Sequence, residues 1–324
     1  MRFTNRLNFP TAIAEAVKND PYSPGESDIT VTQLLSPPQQ VALRKHCRNE
    51  MVEDVSDRIY ALMGQAMHVV LERANITGIT EKRVYAEVDG WVVGGAFDSI
   101  ALVEEETNTG SEWILQDYKQ MSIYEVIYGL RPEKTQQLNV LDWLLKVNQR
   151  SDRTYPPINR LEVVGIFRDW SKPEAGRRKK AGDETYPQNQ VGIYPINRWD
   201  GERQEAFVKE RLQIHRTADE LRNAGKIGNL PECTDDERWA TETTFALKKE
   251  GRKSALKVEE DHKKLIIWAI NKGHATQAPE DTYEFKKGVS IETRPGINRR
   301  CQDYCDVSQF CNQWARINST EDMK

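Results

Sequence analysis

The chain has 324 residues, 30% of them charged, with a formal net charge of −4 and a mean hydropathy of −0.71. That length allows one large domain or a core with an accessory module. The slight acidity excludes a general polyanion binder, so any nucleic-acid contact has to be local, and no apolar run approaches a membrane span.

The N-terminal stretch MRFTNRLNFPTAIAEAV has no apolar signal core, so a cytoplasmic protein is expected. A Pro/Ser/Gly/Asp loop at 20–28 leads into a short strand or turn at 29–35. Pro37-Pro38 can open a helix. The helical pattern then runs from Gln39 to about Ala74, as one helix or two. Ile59, Leu62, Met63, Ala66, Met67, Val70 and Leu71 form a stripe at 3–4 spacing, with Gly64 placed for close packing against a sheet. Arg83–Val88 reads as a strand with Glu87 near its end. Trp91–Val103, an acidic turn at 104–110 and Glu112–Lys119 read as a β-hairpin. A short helix at 122–128, an amphipathic helix at 133–147 with Leu138, Leu141, Leu144 and Leu145 inward, and a strand at 161–167 follow. Helix, three strands, helix, strand is an α/β core. Beyond it, 168–180 is basic and reads as a mobile loop. A strand at 193–196, a helix at 202–223, a hairpin across 243–258, a helix at 259–271 and a cysteine-bearing tail complete the chain.

The hairpin concentrates the chemistry. Strand side chains alternate, so Asp117 and Lys119 share one face while Tyr118 faces away. Asp98 lies on the partner strand behind Gly94-Gly95. Charge on an otherwise apolar strand costs several kcal/mol unless it is paired or binds a metal. Two carboxylates at a strand end make a hard-oxygen site suited to Mg2+ or Mn2+. A lysine beside such an ion can hold a phosphate or a water, which is a way to attack a phosphodiester. The plain alternative is a surface hairpin with a salt bridge.

Four motifs in order carry a resemblance: Gly64-Gln-Ala-Met-His68 on a helix, Gly94-Gly-Ala-Phe-Asp98, Asp117-Tyr-Lys119, and Gln137-Leu-Asn on the next helix. Together they resemble the PD-(D/E)XK nuclease superfamily, in particular its RecB-like exonuclease branch with an iron–sulfur cluster, often phage-encoded. The resemblance covers roughly 30–170 for the core and 230–314 for the cluster. It implies a restriction-endonuclease-like fold with a mixed sheet flanked by helices. It implies metal contacts from His68, Asp98, Asp117 and the Tyr118 backbone carbonyl, with Lys119 catalytic and Gln137 accessory. Glu87 is a further candidate ligand. The family's tyrosine after the glutamine motif is Leu141 here. The implied activity is DNA hydrolysis, by an exonuclease of recombination, repair or phage DNA processing in a bacterial cytoplasm. A single-strand annealing protein or a helicase is the implied partner. A catalytically silent DNA-binding module and a zinc-stapled structural protein are the other readings.

Cys301, Cys305 and Cys311 have C-x3-C-x5-C spacing, the corner of a metal or cluster site. A fourth ligand comes from Cys233 or Cys47. Cys233 is favoured, and Cys47 reads as a core thiol. A [4Fe-4S] cluster acting as a staple is expected, with zinc as the alternative. Basic clusters at Arg177–Lys180, Lys248–Lys253 and Arg299-Arg300 could hold phosphates, with Trp170, Tyr186, Tyr194 and Trp199 as stacking candidates. The expected organisation is an N-terminal segment (1–35), the nuclease-like core (36–170), a basic loop and helix (171–230) and a hairpin, helix and cysteine region (231–324).

Overall fold

The computed structural model describes residues 1–74, 78–104, 111–152, 154–278 and 282–321. The chain divides into two compact units, Met1–Pro231 and Glu232–Lys324.

In the first unit β1 (Arg2–Thr4) leads to α1 (Thr11–Lys18) and β2 (Ile29–Thr30). The stretch expected as a strand or turn at 29–35 becomes helix after two residues. The Thr30 hydroxyl accepts the Gln33 N–H and the Gln33 amide accepts the Thr30 N–H, a capping box that starts α2 (Val31–Leu35). The helix expected from Gln39 to Ala74 is two, α3 (Pro38–His46) and α4 (Ile59–Glu72), separated by β3 (Val52–Asp54), which pairs with β1 in parallel. The α4 stripe is not a core stripe, because no α4 residue is buried. Ile59 and Leu62 pack on Ala14, Val17 and Val55, while Met63 and Val70 are exposed. Gly64 faces open space instead of a close neighbour.

Next come β4 (Gly78–Val88), β5 (Trp91–Glu104) and β6 (Ser111–Met121). The expected turn after β5 lies outside the described residues. Asp89 and Gly90, both at positive φ (49° and 81°), close the β4–β5 hairpin, a two-residue turn whose twist suits antiparallel strands. Then follow α5 (Tyr124–Ile127), α6 (Pro132–Asp152), β7 (Arg160–Phe167), α7 (Lys172–Lys180), β8 (Val191–Ile196) and α8 (Gly201–Asn223). The sheet runs β2-β5-β6-β7-β8, with β4 also on β5. The β6–β7 pair is parallel, and β4–β5, β5–β6 and β7–β8 are antiparallel. This is a mixed sheet flanked by helices, an α/β core. The basic stretch expected as a mobile loop is instead helix over Lys172–Lys180, begun by Pro at its second position and the Ser171 cap.

The four α6 leucines are buried against Phe97, Ile100, Leu115 and Val163. A buried carboxylate ties α6 to α8. Asp142 takes two 2.8 Å bonds from Arg198, one at 2.7 Å from Gln204 and one at 2.9 Å from Lys146. Satisfied on both oxygens, it is a fixed joint; unpaired it would cost about 3–5 kcal/mol.

The second unit begins with α9 (Asp235–Arg238), capped by Thr234. Its three-stranded sheet has β9 (Thr244–Lys249) between β10 (Lys257–Glu259) and β13 (Val289–Arg294). Leu265 and Ala269 of α10 (His262–Asn271) pack with Leu247 and Ala275. A hairpin of β11 (Ala275–Gln277) and β12 (Tyr283–Phe285) intervenes, and α11 (Arg299–Asp303) and α12 (Asn312–Glu321) end the unit. Among the described residues no helix is long and apolar enough to cross a membrane.

Candidate active site

The site forms where β5 parts from β6. Their ladder ends at Ser99↔Gln116. One step further Asp98 reaches across, and its Oδ2 accepts the Tyr118 N–H at 2.7 Å. The carboxylate thus replaces a ladder bond. Within a strand N–H and C=O of one residue point to the same edge, so the Tyr118 carbonyl faces this gap too. The glycine pair before Asp98 allows close cover: a Cβ on Gly95 would lie 2.6 Å from Leu141 and 2.7 Å from Val31. Leu141, where the resembled family has tyrosine, is therefore a packing residue here.

Asp117 is 2% exposed. Its Oδ1 receives Lys119 Nζ at 2.7 Å and Gln137 Nε2 at 3.0 Å, from α6. Its Oδ2 is buried without a hydrogen-bond partner. Burial opposes charge on Lys119, but Asp117, Asp98 and the bond to Asp117 outweigh it and raise its pKa, so the amine stays protonated at neutral pH.

On the other side of Asp98, α4 lies against β6 and brings His68 over the sheet. His68 Nδ1 is 3.3 Å from Glu81 Oε1 and 3.7 Å from Asp98 Oδ1. The hydrogen bond to Glu81 raises the His68 pKa against the effect of burial. Ligand atoms of His68, Glu81 and Asp98 lie within 4.8 Å of one another, a group able to hold a metal ion. Asp117 is outside that group, turned to Lys119 and Gln137, yet close enough to raise the Asp98 pKa. Burial and then Asp117 push Asp98 up to about 6.

The expected acid on β4 was misplaced. Glu87 is exposed and pairs with Val92, far along the hairpin. Glu81 occupies the place opposite Asp98, at φ 48° inside a strand. A left-handed glutamate costs about 1–3 kcal/mol, and such strain tends to collect at functional sites.

The raised Asp98 pKa sets a stability expectation. Native Asp98 holds a proton between pH 3.8 and about 6 that the unfolded chain releases, so stability falls as pH rises through that window. Above it the full cost, about 2–3 kcal/mol, is present. With divalent ions chelated, Asp98→Asn should therefore melt higher than the parent at pH 7.5, and the gain should vanish at pH 3.5 or below. An Asn carbonyl can still accept the Tyr118 N–H. Thermal melts across pH check this, and a destabilised variant at pH 7.5 would contradict it.

In the second unit Cys233, Cys301, Cys305 and Cys311 form one electrostatic group. Burial, then Glu237, then the three other thiols push the Cys233 thiol far up. Burial first, with Asp306, Cys301 and Cys311 adding, takes Cys305 to about 11. Cys301 is raised by burial and by Cys311, and is eased by Arg238 and Arg300. The buried Gln313 clamps Cys233 at two points, accepting its N–H at 2.9 Å and donating to its carbonyl at 2.8 Å. The Trp314 N–H donates to Cys311 Sγ at 3.4 Å. Thiols this close ionise together more readily beside a cation, but among the described residues no set of three or more cysteines has its sulfur atoms within 4.8 Å of one another. Cys47 belongs to the first unit, buried at the end of α3.

The stacking candidates read from sequence are packing residues. Tyr186 is buried, Trp170 and Tyr194 pack against its cluster, and Trp199 packs on Phe207.

No family model and no curated protein matches the sequence. The solved structure of SSO0001 superposes with a TM-score of 0.39 at 17% identity, over 62% of this chain and 84% of that one.

Proposed function

We propose that the protein is a metal-dependent deoxyribonuclease of the PD-(D/E)XK kind, acting as an exonuclease in recombination, repair or phage DNA processing. One observation carries this reading. Asp117 is held dry with one oxygen bound by Lys119 and Gln137 and the other unpartnered, beside His68, Glu81 and Asp98. A buried carboxylate oxygen without a donor is costly unless a cation answers it.

Asp98, Asp117, Glu81, His68 and the Tyr118 carbonyl are the donors for Mg2+ or Mn2+, hard oxygens with one imidazole. A bound divalent ion supplies Lewis acidity toward a phosphate oxygen and lowers the pKa of water. The chain's own groups do the rest. Lys119 is a fixed cation that orients water and phosphate, not a base. Gln137 holds Asp117 in place, and without the ion Glu81 bonds the His68 ring at Nδ1.

Cys233, Cys301, Cys305 and Cys311 are the ligands of a structural [4Fe-4S] cluster, with zinc as the other occupant. A bacterial cytoplasm, a phage origin and a single-strand annealing protein or helicase partner belong to this same reading.

The test uses end-labelled linear DNA and closed circular DNA, with Mg2+ or with chelator. Release of label from the linear form in Mg2+ alone is the expected result. If Mg2+ and Mn2+ leave both forms intact, the protein is not a nuclease.

A further inference from the structure

We propose that the surface at the C-terminal ends of β6 and β7 receives a single-stranded nucleic-acid segment, whose unpaired bases stack on Tyr124 and Tyr128. Its placement beside Lys119 rests on the nuclease reading; its binding chemistry does not.

The chain leaves β6 at Met121, two residues past Lys119, and enters α5 almost at once. One side of α5 is anchored. Ile123 is buried with Met121, Phe167, Ala175 and Tyr186, and Val126 and Ile127 pack against them. The start of α5 is pinned to the end of β7, where Asp169 accepts the Ser122 hydroxyl at 2.5 Å and the Ile123 N–H at 2.9 Å. Burial opposes ionisation of Asp169, but these bonds outweigh it and lower its pKa. The element is therefore anchored at its start and along one side, although only four residues long.

Its other side carries Tyr124 and Tyr128, one helical turn apart. They are 56% and 83% exposed, and their rings stack at 6.1 Å and 15°. Two large rings held parallel in solvent bury little besides each other. Their outer faces form a platform that another flat ring can extend. Nucleic-acid bases have such faces, and in a single strand those faces are free, whereas in a duplex each already lies on its neighbour.

The charge around the platform suits a phosphate backbone. Arg168 donates its N–H to the Met121 carbonyl at 3.2 Å, which puts it at this same edge, and its guanidinium lies 4.9 Å from the ring of Tyr60, itself exposed. Lys172, Lys179 and Lys180 of α7 are exposed on the element that follows. Arg177 and Arg178 are taken up by Glu174. Aromatic faces among cations are what single-strand grooves combine.

The experiment measures anisotropy of labelled oligothymidylate and of a labelled duplex, in chelator so that nothing is cut. It uses the full chain, the Tyr124→Ala/Tyr128→Ala double variant and the Tyr124→Phe/Tyr128→Phe double variant. The alanine pair should bind the single strand about 10- to 100-fold more weakly and the duplex as the parent does. The phenylalanine pair should bind like the parent, since stacking needs the ring and not the hydroxyl. Unchanged single-strand binding by the alanine pair overturns the proposal. So does an equal loss on duplex, or a parent chain with no single-strand affinity. A parent that cuts no DNA in any metal yet binds single strands through these rings upholds this proposal while removing the nuclease reading. A parent that cuts, with the alanine pair unimpaired on single strands, does the reverse.

Discussion

Lys119→Ala should slow DNA hydrolysis by about 10³-fold at saturating Mg2+, with single-strand binding in chelator within a few-fold of the parent. The magnitude is that of removing one preorganised donor aimed at developing charge, about 4 kcal/mol. The amine is the nearest cation to Asp117, at 2.7 Å, and its raised pKa keeps it charged throughout the neutral range. The same substitution leaves a buried carboxylate with only Gln137 for company. A stability loss of about 3–5 kcal/mol therefore accompanies it, and a slow enzyme could be a partly unfolded one. The double variant Asp117→Asn/Lys119→Met separates the two effects. It removes charge and countercharge together, so melting in chelator should return most of the way to the parent value while hydrolysis stays lost. Added Mg2+ should raise the melting temperature of Lys119→Ala by more than it raises that of the parent, because the ion then answers Asp117 alone. Lys119→Ala cutting within a few-fold of the parent would reduce the Asp117–Lys119 pair to a salt bridge.

The fold's middle was legible for a physical reason. Strand alternation alone puts Asp117 and Lys119 on one face, and the leucines of α6 at 3–4 spacing reach the core because a long helix crossing a sheet has one apolar stripe and buries it. The same rule misjudged α4. Its stripe is as regular as that of α6, yet no α4 residue is buried, since periodicity says which side is apolar and not what covers it. The basic run at 168–180 reads as a loop because Gly176 and the charges outweigh the start signal, yet Lys172–Lys180 is helix. Ser171 with Pro173 is that signal, and the Ser171 hydroxyl does accept the Glu174 N–H. Glu81 was within reach. Asp89-Gly90 is a two-residue hairpin turn in plain view, and pairing Val88 with Trp91 counts back to Glu81 opposite Asp98. In that register Glu87 pairs with Val92, well away from Asp98. The left-handed backbone of Glu81 had no sequence signal, because a glutamate in a strand is not expected there. The exposed tyrosine pair was also missed, since aromatics were sought beside the basic run, where they pack inward.

Cys233→Ser should remove most of the bound iron and acid-labile sulfide from the purified protein and selectively destabilise the second unit, whereas Cys47→Ser should keep both. Cys233 is the most strongly perturbed of the four thiols, raised by burial and by each of the other three. Gln313 holds its backbone at both N–H and carbonyl, and α9 and α11 meet where the Arg300 guanidinium donates to the Glu237 carbonyl at 2.9 Å and covers the Trp239 ring at 4.7 Å. These contacts position the ligands but bury little. The apolar cluster of the unit centres on Leu247, Leu265, Ala269 and Ala275, a core too small to hold a tail of short helices unaided. Metal–thiolate bonds convert binding free energy into folding free energy. Losing even about 3 kcal/mol of it should lower the melting of a unit this size by roughly 12–24 °C. Hydrogen exchange reads the effect by region. Protection should drop in 232–321 and persist in β5, β6 and α6, whose packing lies within the first unit. Zinc in place of iron in the parent would make the site a zinc staple with the same dependence on Cys233. Full metal content and unchanged protection in Cys233→Ser would mean that the three tail cysteines find their fourth partner elsewhere, and a matching loss in Cys47→Ser would name it.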